Sequence, residues 1–441
     1  MPSDRAGPGA RVDAVSSSLE RRLGTADATV LGLAAMLGTG VFAVWAPAAA
    51  AAGPFLLLAV LLAGIVAACN AASTADLAVA HPESGGGYVY GRERLAPALG
   101  RLAGVAFLVG KTSSAAAAAG VFGAYVLPSS PLPAAVLVIV AATALNVAGV
   151  RWTARGAYAL VGGTLAVLLV VVVIGLLGPV PADVGTLASP DAEPVPGPGG
   201  GLGVLTAAAL VFFAFAGYAR VATLGEEVRD PRRTIRRAVT LALGITLLTY
   251  LLVAAALVVG LGTDRLGTEA TPLVAVVDAG QMSALGVLVR AGAAVAAGSA
   301  LLSVLVGVSR TALAMARRRE LPGGLAAISA RGTPWRADLA GGLVAIGIAA
   351  VAGPVAAIAL SACSVLVYYA VINLAALRLP RAERSWPHVT SVLGLLLCVG
   401  LAALLPTRQV LITAVALAVG WTLCTLLGHG RAAAPGDGAS G

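Results

Sequence analysis

One apolar segment near the start of the chain is interrupted at its centre. Residues Leu31 to Val44 read Leu-Gly-Leu-Ala-Ala-Met-Leu-Gly-Thr-Gly-Val-Phe-Ala-Val, with Gly38-Thr39-Gly40 in the middle. Backbone in a bilayer must satisfy its own hydrogen bonds, so a broken helix is tolerated only where it lines a cavity inside the protein. Such breaks come in pairs at the substrate sites of many secondary transporters. A second break is therefore expected, and the segment Phe212-Phe213-Ala214-Phe215-Ala216-Gly217-Tyr218 fits it.

Composition indicates an all-α integral membrane protein. The chain is 59% hydrophobic and 11% charged, whereas soluble domains carry about 25% charged residues. A membrane-spanning helix needs about 20 mostly apolar residues. The sequence contains twelve such segments, approximately 28–50, 54–79, 102–126, 132–149, 156–178, 202–223, 238–262, 284–313, 338–353, 354–377, 389–405 and 409–428. The polar residues 1–20 and the Gly/Ala/Pro-rich residues 428–441 are expected to be disordered tails around a transmembrane domain at 21–427.

The arginines predict how these segments are oriented. They cluster before the first segment and after each even-numbered segment, which places them all on one side, whereas the opposite connections have only Arg265 and Arg408. Short cytoplasmic loops carry the excess of Lys and Arg in membrane proteins. Both termini are therefore expected to be cytoplasmic in a multi-pass protein of the plasma (inner) membrane. The net charge of +9 is then a topology signal, and no nucleic-acid partner is expected.

Several other classes of protein and site are disfavoured by the sequence. The four cysteines all lie in apolar segments without Cys-x-x-Cys spacing, so no metal or other cofactor is expected: Cys69, Cys363, Cys398 and Cys424. A membrane-embedded enzyme is disfavoured because the three histidines lie far apart and outside the apolar segments. A channel needs a symmetric pore or a filter ring, whereas matched breaks favour one occluded site. No Gly-rich Lys-Ser/Thr phosphate loop is present.

Five motifs in a fixed order resemble those of a known family. They are Gly38-Thr39-Gly40-Val41-Phe42; Ala75-Asp76-Leu77-Ala78 with Pro82-Glu83-Ser84-Gly85-Gly86-Gly87-Tyr88; Asn146-Val147-Ala148-Gly149-Val150; Phe212 to Gly217 with Glu226-Glu227-Val228-Arg229-Asp230-Pro231; and Ser309-Arg310 with Ala314-Met315-Ala316-Arg317. Over roughly residues 24–427 the chain resembles the amino acid–polyamine–organocation (APC) permeases, most closely their bacterial amino acid permeases.

The resemblance implies a LeuT-like transporter fold of about twelve transmembrane helices, with helices one and six broken. Two inverted repeats of five helices would occupy about 28–178 and 202–377, followed by peripheral helices within 389–428. The substrate would lie between the breaks, near the bilayer midplane. The family's mechanism is alternating access, in which helices one, two, six and seven rock against helices three, four, eight and nine.

The first break is predicted to bind the substrate carboxylate. A helix that restarts at Gly38-Thr39-Gly40 offers free N–H groups and the positive end of its dipole. Glycine lets the ligand approach the backbone, and the Thr39 hydroxyl can add a hydrogen bond. The alternative interpretation is close helix packing through small residues.

The second break is predicted to bind the substrate ammonium group. Carbonyls freed between Ala214 and Tyr218, around Gly217, can accept its hydrogen bonds. The carbonyls of Met36 and Leu37, which precede the first break, can share this role.

Aromatic residues near the second break are predicted to cover the substrate. Phe212, Phe215 and Tyr218 would form this lid, and the alternative is ordinary aromatic packing. By resemblance, Ser364 in the tenth segment faces the same site. Neither break has a nearby carboxylate, and the position where family members often carry an acid is Ala219. A neutral or mildly polar amino acid is therefore favoured over a cationic one.

Lys111, the only lysine of the chain, is predicted to couple transport to protons. It lies within the third apolar segment, where an ionisable group is costly and marks a functional site by default. The alternatives are a permanently charged structural lysine or one that extends to the interface. Proton-coupled members of the family can carry a lysine in helix five, where this chain has Thr164. Oxygen ligands from Thr164, Ser299 and Ser303 leave sodium coupling as a lower-ranked alternative.

Charged residues beyond the second break are predicted to line the pathway or form a gate. Arg220 follows the break, and Glu226 and Glu227 lie among arginines. A solvated loop pair is the alternative for the two glutamates. Asp76, near the end of the second segment, is expected to pair with loop arginines.

The sequence therefore predicts a secondary active amino acid permease in the lipid bilayer, acting as a monomer or homodimer. Proton coupling is the leading mechanism. Amino acid/polyamine exchange and sodium symport are the alternatives within this class.

Overall fold

The computed structural model describes residues 23–81, 85–150, 154–179, 201–222, 228 and 230–429. The predicted tail at 1–20 lies outside these residues, as do positions 430–441. The described chain forms eighteen α-helices, in order α1 Thr25–Met36, α2 Gly40–Ala43, α3 Trp45–Ala52, α4 Leu56–Ala80, α5 Gly87–Arg94, α6 Pro97–Val126, α7 Pro131–Val147, α8 Ala154–Leu177, α9 Gly201–Phe215, α10 Ala219–Ala222, α11 Pro231–Leu261, α12 Thr263–Thr268, α13 Pro272–Ala279, α14 Gly286–Arg317, α15 Trp335–Val351, α16 Pro354–Ala376, α17 His388–Ala403 and α18 Thr407–His429.

Nine helical stretches of the described chain are long and apolar enough to cross a membrane. They coincide with all the predicted segments except the fourth, ninth and eleventh. Those three correspond to α7, α15 and α17, which are shorter at 17, 17 and 16 residues. The all-helical membrane architecture is thus confirmed, while the count of twelve transmembrane helices and the inverted repeat stay predictions.

Two long helices begin earlier than the apolar segments that predicted them. Helix α6 begins at Pro97 and α11 at Pro231, and proline suits the first position of a helix because the N–H it lacks would be unpaired there. The added turns carry arginines such as Arg101 and Arg236. Because these charges lower the local hydropathy, the apolar segments in the sequence begin several residues after the helices do.

Helix α6 packs mainly against α14 and α16. Small residues allow the close approach, as they do in other membrane helix pairs. A methyl group on Gly110 would lie 2.7 Å from a Val365 side-chain carbon of α16, and one on Gly104 would lie 2.7 Å from the Met315 sulfur of α14. Helix α6 therefore forms the interior of the bundle.

A buried carboxylate anchors α5 on the arginine-rich side of the protein. The Tyr88 hydroxyl donates a hydrogen bond of 2.7 Å to Glu320, and Arg92 donates one of 2.5 Å to the other Glu320 oxygen. Arg101 of α6 lies 3.8 Å from the same carboxylate. Burial, followed by the hydrogen bond to Glu320, raises the pKa of the Tyr88 hydroxyl, which therefore remains a donor at neutral pH. These contacts tie α5 and α6 to the residues that follow α14.

Asp76 holds the connection between α16 and α17 against the end of α4. Its carboxylate accepts hydrogen bonds from the backbone N–H groups of Ser385, at 2.9 Å, and Trp386, at 3.3 Å. The Trp386 ring also lies 5.1 Å below the guanidinium of Arg236 in α11. The hydrogen bonds to the carboxylate therefore come from backbone amides, and the positive charge of Arg232 also acts on it. The pairing of Asp76 with loop arginines stays a prediction.

Candidate functional site

The first predicted break is present between α1 and α2. Helix α1 ends at Met36, three residues form a turn, and α2 begins at Gly40. The Thr39 hydroxyl is buried and has no hydrogen-bond partner among the described residues. At Gly38 a methyl group would lie 2.8 Å from the Ala300 side chain of α14. The sequence thus locates this interruption correctly.

The second predicted break takes the form of a tight helical turn. Helix α9 ends at Phe215, a 3-10 turn spans Ala216–Tyr218, and the four-residue α10 follows. A 3-10 turn has fewer residues per turn and poorer hydrogen-bond geometry than an α-helix. The main-chain pattern therefore changes at the predicted position, without an open loop.

The two breaks lie directly against each other. A methyl group on Gly217 would overlap the carbonyl oxygen of Ala35 and lie 2.7 Å from the backbone nitrogen of Met36. A methyl group on Gly40 would overlap the Cα of Ala214. Because the nearest atoms belong to backbone, side-chain rotation cannot relieve either overlap. Glycine at both positions thus allows the two broken segments to touch.

Tyr250 of α11 connects the two breaks, and the sequence analysis missed it. Its hydroxyl lies 2.6 Å from the carbonyl oxygen of Met36 and 3.1 Å from that of Ala214. The side chain is fully buried. The rings of Trp45 and Phe215 meet it at centroid distances of 5.8 and 4.9 Å. These two carbonyls belong to the groups that were predicted to hold an ammonium ion.

The predicted aromatic residues are packed against tyrosines. Phe212 and Tyr218 both contact the Tyr369 ring of α16, with centroid distances of 5.8 and 5.2 Å, and Phe215 contacts Tyr250. All three predicted rings are buried. The Tyr218 hydroxyl is buried without a hydrogen bond of good geometry to any described residue. Their role as a lid stays a prediction.

Lys111 lies at the centre of α6, as the fifteenth of its thirty residues. Its side chain is half-buried, with the ammonium nitrogen 6.0 Å from the centroid of the Phe107 ring. No carboxylate among the described residues forms an ion pair with it. Ser364 packs beside the neighbouring Gly110, and its hydroxyl donates to the Leu360 carbonyl of its own helix. Ser364 and Gly110 therefore face each other on α16 and α6.

Other predicted charges fall into different environments. Arg220 is exposed in α10, and Glu226 and Glu227 lie outside the described residues. The gate network therefore stays a prediction. Arg290 in α14, which lies within the eighth apolar segment, donates a 3.3 Å hydrogen bond to the Tyr125 carbonyl at the end of α6. A cation there complements the negative end of the helix dipole.

These features define a class of protein: a multi-pass membrane transporter with two apposed broken helices inside a bundle of apolar helices. Residues 27–433 match the amino acid permease family. The chain therefore belongs to that family, which confirms the resemblance drawn from the motifs and indicates a permease rather than an enzyme.

Relatives of known sequence agree with this assignment. The chain is 48% identical over 411 residues to an uncharacterized transporter of Mycobacterium tuberculosis, across 92% of this chain and 91% of that protein. It is 28% identical to the methylthioribose transporter of Bacillus subtilis, with 76% of each chain covered. It is 26% identical to the branched-chain amino acid permease BcaP of the same bacterium, with 70% of each covered.

Proposed function

We propose that this transporter moves a neutral or mildly polar amino acid across the plasma membrane by alternating access, with the arginine-rich side and both termini in the cytoplasm. The observation that carries the proposal is the contact between the two breaks at Gly217 and Gly40. It brings helix-end carbonyls to one place inside the bundle, together with the Thr39 hydroxyl, which has no partner among the residues that the structure describes. Amide, carbonyl and hydroxyl groups are sufficient to bind the ammonium and carboxylate groups common to all amino acids.

The carboxylate is assigned to the first break. Backbone N–H groups around Gly38, Thr39 and Gly40 would donate to it. The buried Thr39 hydroxyl, which has no partner in the described part of the chain, supports this choice. A buried polar atom normally has a hydrogen-bond partner. A substrate carboxylate would supply the missing acceptor.

The ammonium is assigned to the helix-end carbonyls of Met36, Leu37 and Ala214. Helix ends leave their last carbonyls without intrahelical partners. The side-chain pocket would be formed by Phe212, Phe215 and Tyr218, and Ser364 is retained as a neighbouring polar group. An aromatic surface with no acid among its described residues favours an uncharged side chain, and the similarity to a branched-chain amino acid permease supports this class.

A substrate panel tests the function. The purified protein in proteoliposomes is offered radiolabelled neutral, acidic and cationic amino acids, polyamines and methylthioribose, each with and without an inward proton gradient. We expect saturable uptake of at least one neutral amino acid. Uptake restricted to polyamines, cationic amino acids or methylthioribose would contradict the proposed substrate class. If the purified protein is monodisperse and takes up none of these solutes, the proposed transport function is contradicted.

Proton coupling is assigned to Lys111. Its position in the middle of α6, without an acidic partner among the described residues, supports a role for this lysine in loading and releasing a proton. Exchange and sodium symport remain the alternative mechanisms of this family member.

Two substitutions separate a proton carrier from a fixed charge at position 111. Lys111→Gln is expected to abolish stimulation of uptake by a proton gradient, because the amide does not titrate. Lys111→Arg keeps the positive charge but does not release a proton, so we expect it to lose the stimulation as well. The measurement is the ratio of initial uptake rates with and without the gradient. Full stimulation in Lys111→Arg would show that charge alone is needed and would contradict the carrier role.

A further inference from the structure

Tyr250 provides one hydroxyl to two carbonyls, one from each of the two breaks. Met36 is the last residue of α1, and Ala214 lies one residue before the end of α9. Both carbonyl oxygens are within hydrogen-bond distance of the same phenol oxygen. The rings of Trp45 and Phe215 pack against the Tyr250 ring edge to face. Tyr250 therefore lies at the junction of the breaks.

The numbers of hydrogens distinguish this hydroxyl from a substrate ammonium. A phenol has one O–H, whereas a primary ammonium group has three N–H bonds. An ammonium can satisfy both carbonyls at once and form a charge-assisted, stronger hydrogen bond to each. The Tyr250 hydroxyl can only share its single hydrogen between them. An arriving ammonium therefore competes successfully for the same acceptors.

We propose that Tyr250 is an internal substitute for the substrate ammonium, and that it stabilises the carrier during the step in which no substrate is bound. The inference rests on the proposed function, because it assumes that an ammonium group binds these carbonyls. A buried acceptor without a partner is costly. With Tyr250, the two breaks remain hydrogen-bonded to α11 whenever the ammonium is absent, and the substrate-free carrier can change its orientation.

A carrier that can change its orientation without substrate gives net movement of substrate across the membrane. A carrier that changes its orientation only with substrate bound gives exchange of one substrate molecule for another. The Tyr250 hydroxyl should therefore matter for net uptake far more than for exchange. In the loaded carrier the ammonium satisfies both carbonyls, so the hydroxyl contributes little to the loaded steps.

The experiment compares net uptake with exchange in Tyr250→Phe, which removes only the hydroxyl. Proteoliposomes receive an equimolar external mixture of radiolabelled L-leucine, L-alanine and L-serine, and contain either buffer or the same unlabelled mixture. We expect net uptake to fall about tenfold relative to the wild type, in line with the loss of one buried hydrogen bond. Exchange should fall by less than about twofold, so the ratio of exchange to net uptake rises.

The control variant is Tyr125→Phe. Tyr125 is another fully buried tyrosine whose hydroxyl donates to a backbone carbonyl, that of Phe42, at 3.2 Å. That bond involves one break only, so the ratio of exchange to net uptake should stay at the wild-type value. The same rise in both variants would show a general effect of losing a buried hydroxyl and would overturn the inference.

The remaining outcomes also decide the matter. An equal loss of both modes in Tyr250→Phe, or an unchanged ratio, overturns the substitute role while leaving the proposed function intact. If the wild-type protein moves none of the three amino acids in either mode, the proposed function fails, and this inference fails with it. Persisting exchange in Tyr250→Phe shows in the same experiment that the variant is folded.

Discussion

Gly217→Ala is expected to reduce amino acid uptake to less than about a tenth of the wild-type rate. The added methyl group would overlap the Ala35 carbonyl oxygen and lie 2.7 Å from the Met36 nitrogen. These are backbone atoms of the other broken helix, so the overlap can be relieved only by separating the two breaks. Overpacking of this kind costs about 1–3 kcal/mol, and each 1.4 kcal/mol corresponds to roughly a tenfold change in an equilibrium. The distortion would occur at the proposed substrate site between the two breaks.

The matched control is Gly298→Ala in α14. Gly298 is also a glycine in a membrane-length helix, but a methyl group there meets no atom within 4 Å. Initial uptake rates in proteoliposomes and elution from a size-exclusion column would be compared for both variants. Gly298→Ala should match the wild type in both measurements. Uptake by Gly217→Ala at the rate of Gly298→Ala would mean that close contact between the breaks is not required for transport.

The location of both breaks could be predicted from the sequence because glycine interrupts an otherwise apolar helix there. The physical signal is local: Gly38-Thr39-Gly40 and the residues around Gly217 stand out within about seven positions. Contact between the breaks could not be predicted in this way. It depends on how α1 and α9 are placed relative to each other, and no local sequence pattern indicates that placement.

Tyr250 is the clearest example of a residue at the site that could not be predicted from the sequence. It lies inside a continuous apolar helix, where a single tyrosine is unremarkable by composition. Its importance comes from backbone carbonyls that are 36 and 214 positions away in the sequence. Any residue can supply a backbone carbonyl, so side-chain identities give no indication of the pairing. The backbone amides of Ser385 and Trp386 that donate to Asp76 could not be predicted for the same reason.

Glu320→Gln is expected to destabilise the fold by about 2–4 kcal/mol. The Glu320 carboxylate is 4% exposed and accepts hydrogen bonds from Tyr88 and Arg92, with Arg101 nearby. Removing one partner of a buried charge pair leaves the other charge uncompensated, which is strongly destabilising. A glutamine also presents an NH₂ group, which repels the donors that the carboxylate accepts. The loss should appear as a lower unfolding temperature of the purified protein in detergent micelles.

Glu93→Gln provides the control for Glu320→Gln because it removes a carboxylate from the same side of the protein. Its partner Arg318 lies 3.6 Å away, and the Glu93 side chain is 49% exposed. An exposed pair of this kind contributes only about 0–1 kcal/mol, so its unfolding temperature should stay close to the wild-type value. Similar shifts in the two variants would contradict a special role for burial at Glu320. A large shift in Glu320→Gln alone would show that α5 is held to the bundle through this carboxylate.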